Sequence, residues 1–204
     1  MKMTFNQMLL ASSLAALMTV GIAQAADAPR VGVRGAITAM DGDAMQVKVN
    51  SGEDVTVHLT KDTLVRAVTL AKIEDIKPGS YIGSAAMPNA DGTLTALEVH
   101  VFPPAMAGTG DGHRAFDLKE GSSMTNGTVG DLVVSKGRTL TVKYKGGEQK
   151  IVVPDDVPIV NLEPGDRSLL KPGVKVVMFA AKGADGSVTA QAISAGKDGV
   201  TPPM

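Results

Sequence analysis

The sequence predicts an all-β protein behind an N-terminal export segment. Three observations carry this. Apolar and polar residues alternate with a period of two over several short runs, glycine-bearing turn signals separate the runs, and the landmarks of one half of the chain recur in order in the other. Period-two alternation puts successive side chains on opposite faces of a half-buried strand. Recurrence at a nearly constant spacing is the mark of a duplicated structural unit.

The chain opens on Met1-Lys2-Met3, runs almost wholly apolar or small through 8–22, and reaches Ala23-Gln24-Ala25. A positive start, an apolar stretch and a small-x-small end are the parts of a secretory signal peptide. The apolar stretch is shorter than the ~20 residues that span a bilayer. Residues 1–25 are therefore expected to be removed after Ala25, and no stable membrane insertion is expected afterwards. The chain has no cysteine, so neither a lipid-anchored cysteine nor a disulfide framework is available in an oxidising periplasm.

The first strands follow. Met45, Val47 and Val49 alternate with Gln46, Lys48 and Asn50, and Val55, Val57 and Leu59 alternate with Thr56, His58 and Thr60. Asn50-Ser51-Gly52 supplies a hairpin turn, as Lys145-Gly146-Gly147 does later. The stretch 70–76 reads as one short helix between strands. Strands resume at 80–87, turn at Asp91-Gly92, and end with 94–102. The second half repeats this plan. Ile76-Lys77-Pro78-Gly79 recurs as Leu170-Lys171-Pro172-Gly173, and Asp91-Gly92-Thr93-Leu94-Thr95-Ala96 as Asp185-Gly186-Ser187-Val188-Thr189-Ala190. Each copy offers about five short strands, which suggests a small OB-like β-barrel whose closure removes exposed edges. The expected architecture is two tandem OB-like barrels joined by a Gly-rich linker, with a β-sandwich built from both copies as the alternative. The corresponding domains are a signal peptide at 1–25, a first barrel repeat at 26–102, the linker at 103–124, and a second barrel repeat with a C-terminal tail at 125–204. Each copy alone would have a marginal core, so the copies are expected to pack together.

With their Lys-Pro-Gly and Asp-Gly-Thr/Ser-x-Thr-Ala landmarks, the two copies resemble a bacterial domain of unknown function found in exported proteins, which implies a small OB-like barrel. More narrowly, Gly108-Thr109-Gly110-Asp111-Gly112-His113-Arg114, Met124-Thr125-Asn126, Tyr144-Lys145-Gly146-Gly147-Glu148-Gln149 and the ending Thr201-Pro202-Pro203-Met204 resemble proteobacterial proteins that sometimes carry the label "metal ABC transporter permease". Those sequences tend to have Pro-Trp where this one has Ala115-Phe116. A permease needs several membrane spans, and this chain has no candidate span after residue 25. The resemblance implies fold and compartment and brings no catalytic residues.

Composition narrows the function. The formal net charge is −1, charges of both signs are interspersed, and aromatic residues make up 3% of the chain. Single-stranded nucleic acid is held by stacking aromatics in a basic groove, so nucleic acid is not an expected partner. Nucleophile-elbow, metalloprotease and Walker patterns are absent, and Gly108-x-Gly110-x-Gly112 lacks the strand-to-helix setting of a dinucleotide fingerprint. No enzyme activity and no cofactor are expected. His58 and His100 are candidates for a metal pair, because third and fifth strands are neighbours in an OB-like order and the two rings would meet outside the barrel. The remaining ligands of such a site have no recognisable spacing, so no metal ligand is assigned.

The expected site lies in the linker, which belongs to neither copy. It combines Gly110 and Gly112 with His113, Arg114 and Phe116. Glycines let backbone N–H groups turn toward an anion, Arg114 can take a carboxylate or phosphate through two donors, and Phe116 can cover a ligand. In the competing structural reading Phe116 pins the loop between barrels and Arg114 pairs with Asp117. The sequence thus points to a non-catalytic periplasmic binding or interaction module whose partner is an envelope protein or a small ligand. The alternative is a metal-binding accessory protein of an envelope transport or redox system.

Overall fold

The computed structural model describes residues 30–133 and 138–204. The expected signal peptide, 1–25, lies outside the described residues. The described chain is all-β, interrupted by single 3-10 turns at Ile73–Asp75, Pro104–Met106 and Arg167–Leu169. The first of these falls within the stretch expected to be helical.

The strands of the first half are β1 (Arg30–Asp41), β2 (Ala44–Val49), β3 (Asp54–His58), β4 (Leu64–Leu70), β5 (Tyr81–Pro88), β6 (Leu94–Ala96) and β7 (Val99–Val101). A short β8 (Gly112–Ala115) follows in the linker. The second half supplies β9 (Ser123–Val133), β10 (Arg138–Tyr144), β11 (Gly147–Val153), β12 (Ile159–Pro164), β13 (Lys175–Lys182) and β14 (Val188–Gly196). All fourteen join one mixed sheet.

The landmark turns have matching geometry. Gly79 and Gly173 sit at φ of 89° and 90°, in the left-handed region that glycine enters without steric cost. Asp91 accepts the Thr93 N–H at 3.0 Å, and Asp185 accepts the Ser187 N–H at the same distance. Asp folds such a turn because its carboxylate reaches the backbone two residues on.

The pairing closes two rings. In one, β1 pairs with β2 and β13, β2 with β3, β3 runs parallel to β14, and β14 returns to β13. In the other, β9 pairs with β10 and β5, β10 with β11, β11 runs parallel to β6, and β6 returns to β5. Each ring therefore takes its first three strands from one sequence copy and its last two from the other. This differs from a tandem arrangement in which each copy closes on its own strands. The copies offer strands of the same alternation, so a strand from either one satisfies the ring, and exchange buries both copies against each other.

Each ring encloses a core. Ile37, Met45, Val47, Val57, Met178 and Ile193 fill the first. Ile82, Val99, Leu140, Val142, Ile151 and Val153 fill the second. The predicted alternation thus falls on the correct faces, with Val49 and Val55 only half-buried against the first core. Between the rings, β14–β4 and β12–β7 run parallel and β4–β12 antiparallel, which carries the sheet from one ring to the other. A third cluster of Val68, Tyr81, Phe102, Leu162, Val177 and Met204 packs at this junction.

Candidate functional site

The junction holds a cavity of about 220 Å³. Phe102, Phe116, Phe179 and Met204 supply apolar wall, and Arg66, His100, Arg114 and Asn126 supply polar groups. A more open depression of about 550 Å³ adjoins it and shares Arg114, Phe116 and Phe179.

The floor is built around His100 on β7. Its Nδ1 lies 2.9 Å from Glu98 Oε2 and 3.2 Å from Glu98 Oε1, with both side chains almost fully buried. Glu98 Oε1 also accepts the Ala85 N–H at 2.7 Å. The carboxylate therefore fixes the ring. The other ring nitrogen faces Gly83 on β5: a methyl group at Gly83 would lie 2.2 Å from His100 Nε2 and 2.6 Å from Asn126 Oδ1. Only a glycine leaves room for both groups. Asn126, on β9, donates through Nδ2 to the Thr109 carbonyl at 3.1 Å. Its Oδ1 is buried and has no hydrogen-bond partner among the described residues. Phe102 packs edge-on against His100 at 4.9 Å between centroids and against Tyr81 at 5.3 Å. The Tyr81 hydroxyl donates to the Thr109 carbonyl at 3.2 Å. Burial, and then the Asp111 carboxylate beside it, push the Tyr81 phenol up to about 12.

Arg66 enters from β4, between buried Val65 and Ala67. It is half-buried, and desolvation lowers its pKa from the usual arginine value. Its guanidinium makes no hydrogen bond or ion pair with the described residues, whereas Arg34 is fully engaged. Arg34 donates to Asp117 at 2.7 and 3.1 Å and to the Met204 oxygen at 3.1 Å. It also lies 5.7 Å from the Phe116 ring centre and 5.9 Å from that of Phe179. The hydrogen bond from Arg34 holds the Asp117 carboxyl below the usual carboxylate range.

The linker residues predicted as a site divide between two sides. Gly110, Arg114 and Phe116 line the cavity. Arg114 Nη1 donates to the Gly110 carbonyl at 2.8 Å, and Phe116 meets Phe179 at 6.0 Å. His113 faces away: its Nδ1 lies 2.8 Å from Thr125 Oγ1 and its ring stacks on Tyr144. Gly112 has open space around it and does not line the cavity. The reason is β8, which pairs with β9 through Gly112–Ala115. Successive strand residues point to opposite faces, so His113 and Arg114 cannot share one site. The suggested Arg114–Asp117 ion pair does not form, because Asp117 is taken by Arg34.

The suggested meeting of His58 and His100 does not occur either. Strand exchange places Thr189 of β14 beside exposed His58, while buried His100 pairs with Gly83 and Val160. Among the described residues, no cluster of three or more His, Asp or Glu side chains has the arrangement of a metal site. No helix among them is long and apolar enough to cross a membrane.

Sequence reasoning missed Arg66, Gly83 and Asn126 and misplaced His100. Arg66 carried a signal, a lone charge inside the apolar run Leu64–Leu70. Asn126 and Gly83 carried none, since their roles depend on β5 meeting β9.

Residues 34–100 match the family model described as Domain of unknown function (DUF5666). No curated protein and no solved structure matches the chain. The DUF5666 segment begins inside β1 and ends at His100 on β7, so its strands serve both rings. It contains Arg66, Gly83, Glu98 and His100, whereas Gly110, Arg114, Phe116 and Asn126 lie beyond it.

Proposed function

We propose that this protein is a non-catalytic binding module of the bacterial periplasm, made of two OB-like barrels that exchange their last two strands, with a small ligand held where the barrels meet. The observation that carries this reading is a pair of polar groups without partners among the described residues, the Arg66 guanidinium and Asn126 Oδ1, at one cavity. A buried polar atom without a partner costs about 1–3 kcal/mol, and a ligand that satisfies it recovers that cost. The cavity also combines apolar walls with a few convergent polar groups, as binding pockets do. Binding is favoured over catalysis because a His–carboxylate dyad needs a nucleophile at the free nitrogen. Among the described residues His100 hydrogen-bonds to Glu98 and to no hydroxyl. The export signal read from 1–25 supports the compartment.

Native mass spectrometry of protein recovered from the envelope tests this reading. The expected spectrum shows a small-molecule increment that Arg114→Ala loses and His113→Ala keeps. Recovery of the wild type without any increment, and no capture from envelope extract, would refute the reading.

One observation favours a second reading, a metal-binding accessory role. A carboxylate that fixes one His nitrogen and frees the other is the usual setting of a metal-ligating imidazole. Stoichiometric zinc or copper on elemental analysis, lost in His100→Ala, would decide for it.

A further inference from the structure

We infer that the ligand of the junction cavity is a small organic anion, its acidic group taken by Arg66 and Arg114 and its apolar body resting on Phe102, Phe116 and Phe179. This rests on the binding reading above and names the ligand's chemical class.

The first argument is charge. Two arginines line the cavity, and no Asp or Glu is among its lining residues. Glu98 is fully buried behind His100, and Asp117, in the adjoining depression, is engaged by Arg34. The Met204 oxygen is likewise taken by Arg34. Arg66 therefore has no countercharge among the described residues, and a charge removed from water without a partner is unfavourable. Arg114 spends one nitrogen on Gly110 and keeps its other donors free. A guanidinium fork fits a planar carboxylate or a phosphate oxygen pair.

The second argument is asymmetry between the halves. The shift that carries Ile76 onto Leu170 also carries the pair Val65–Ile193 onto the pair Ile159–Val99. The next pairs are Arg66–Ser194 in one half and Val160–His100 in the other. Val160 is buried and apolar, so the scaffold accepts an aliphatic residue at this position. Arg66 stands where packing would choose valine. The same shift sets Gly83 opposite Val177. Val65, Ile193, Ile159 and Val99 are apolar in both ring cores, whereas the next pairs, Arg66–Ser194 and Val160–His100, differ in kind.

The third argument is the wall. Phe116 and Phe179 meet edge to face, and Phe102 lies inside against His100. Such walls suit an aromatic or short aliphatic body, while inorganic phosphate would leave them uncovered.

Isothermal titration with phenylacetate, phenyl phosphate, phenylacetamide and inorganic phosphate tests the inference. The wild type is expected to bind at least one phenyl anion at least tenfold more tightly than the neutral amide and than inorganic phosphate. The preference between carboxylate and phosphate identifies the acidic group. Arg66→Gln keeps much of the stem and removes the charge. It is expected to lose at least tenfold in anion affinity, lose far less in amide affinity, and melt no lower than the wild type. Amide binding as tight as acid binding would overturn the anion class while leaving the binding module standing. Undiminished anion affinity in a folded Arg66→Gln protein would overturn the role of Arg66. Failure of all four probes would overturn the inference, and the envelope-recovery spectrum would then judge the binding reading by itself.

Discussion

The rings and the junction between them are built by opposite rules. In the rings, apolar residues alternate with polar ones and point inward, and paired strands satisfy the backbone. Leu140, Val142 and Ile151 are fully buried within one apolar cluster. At the junction a glutamate, a histidine and an asparagine are buried, and Arg66 has no hydrogen-bond or ion-pair partner among the described residues. Proteins that obey local rules throughout most of a fold tend to break them where a ligand binds. The contrast separates the ring scaffold from the junction in a chain whose two halves otherwise look alike.

The comparison can be broken by substitution. The largest effect is expected in a ring core. Leu140→Ala should cost about 2–5 kcal/mol, whereas Thr56→Ala, on the outward face of β3, should change stability by less than about 0.5 kcal/mol. Thermal melts of the two variants read this directly, and similar losses would mean that the strand faces are misassigned. Gly83→Ala should follow, at about 1–3 kcal/mol, because the added methyl overlaps His100 and Asn126. Its ligand capture should fall further than its stability does. A variant that melts like the wild type and still captures ligand would show that His100 and Asn126 are not held as described.

A smaller effect is expected from pH. Arg34 depresses the Asp117 carboxyl in the folded protein. A group whose folded pKa is depressed contributes stability above its unfolded pKa, near 4, and that contribution fades as pH falls through the folded value. Asp117→Asn should therefore flatten the fall in melting temperature below about pH 4. An unchanged acid limb would mean that the Arg34–Asp117 clasp between β1 and the linker adds nothing. The pair is partly exposed, so the difference should be small.

Much of the scaffold was legible in the sequence, and for a physical reason. Val47, Val57 and Val142 announce strands because alternation is local. Gly79 and Gly173 announce turns because a left-handed residue favours glycine wherever it sits. Strand exchange was not legible. β13 and a first-copy strand present the same pattern to β1, and nothing local says which of them closes the ring. The site inherited that blindness. Arg114 and Phe116, singled out because the linker is unusual in composition, line the cavity, whereas His113 faces away because β8 is a strand and not a loop. Asn126 and Gly83 become site residues only when β9 of one half lies beside β5 of the other.

If the polar groups of the junction serve a ligand and not the fold, removing the Arg66 charge leaves the empty scaffold intact. The melting temperature of ligand-free Arg66→Leu tests it most directly. An unpaired, half-buried guanidinium contributes nothing to the empty protein, and the matching position of the other half is an aliphatic valine. Arg66→Leu is therefore expected to melt at or above the wild-type temperature. A fall comparable to that of Leu140→Ala would show that Arg66 holds the fold together and that its charge is not kept for a ligand.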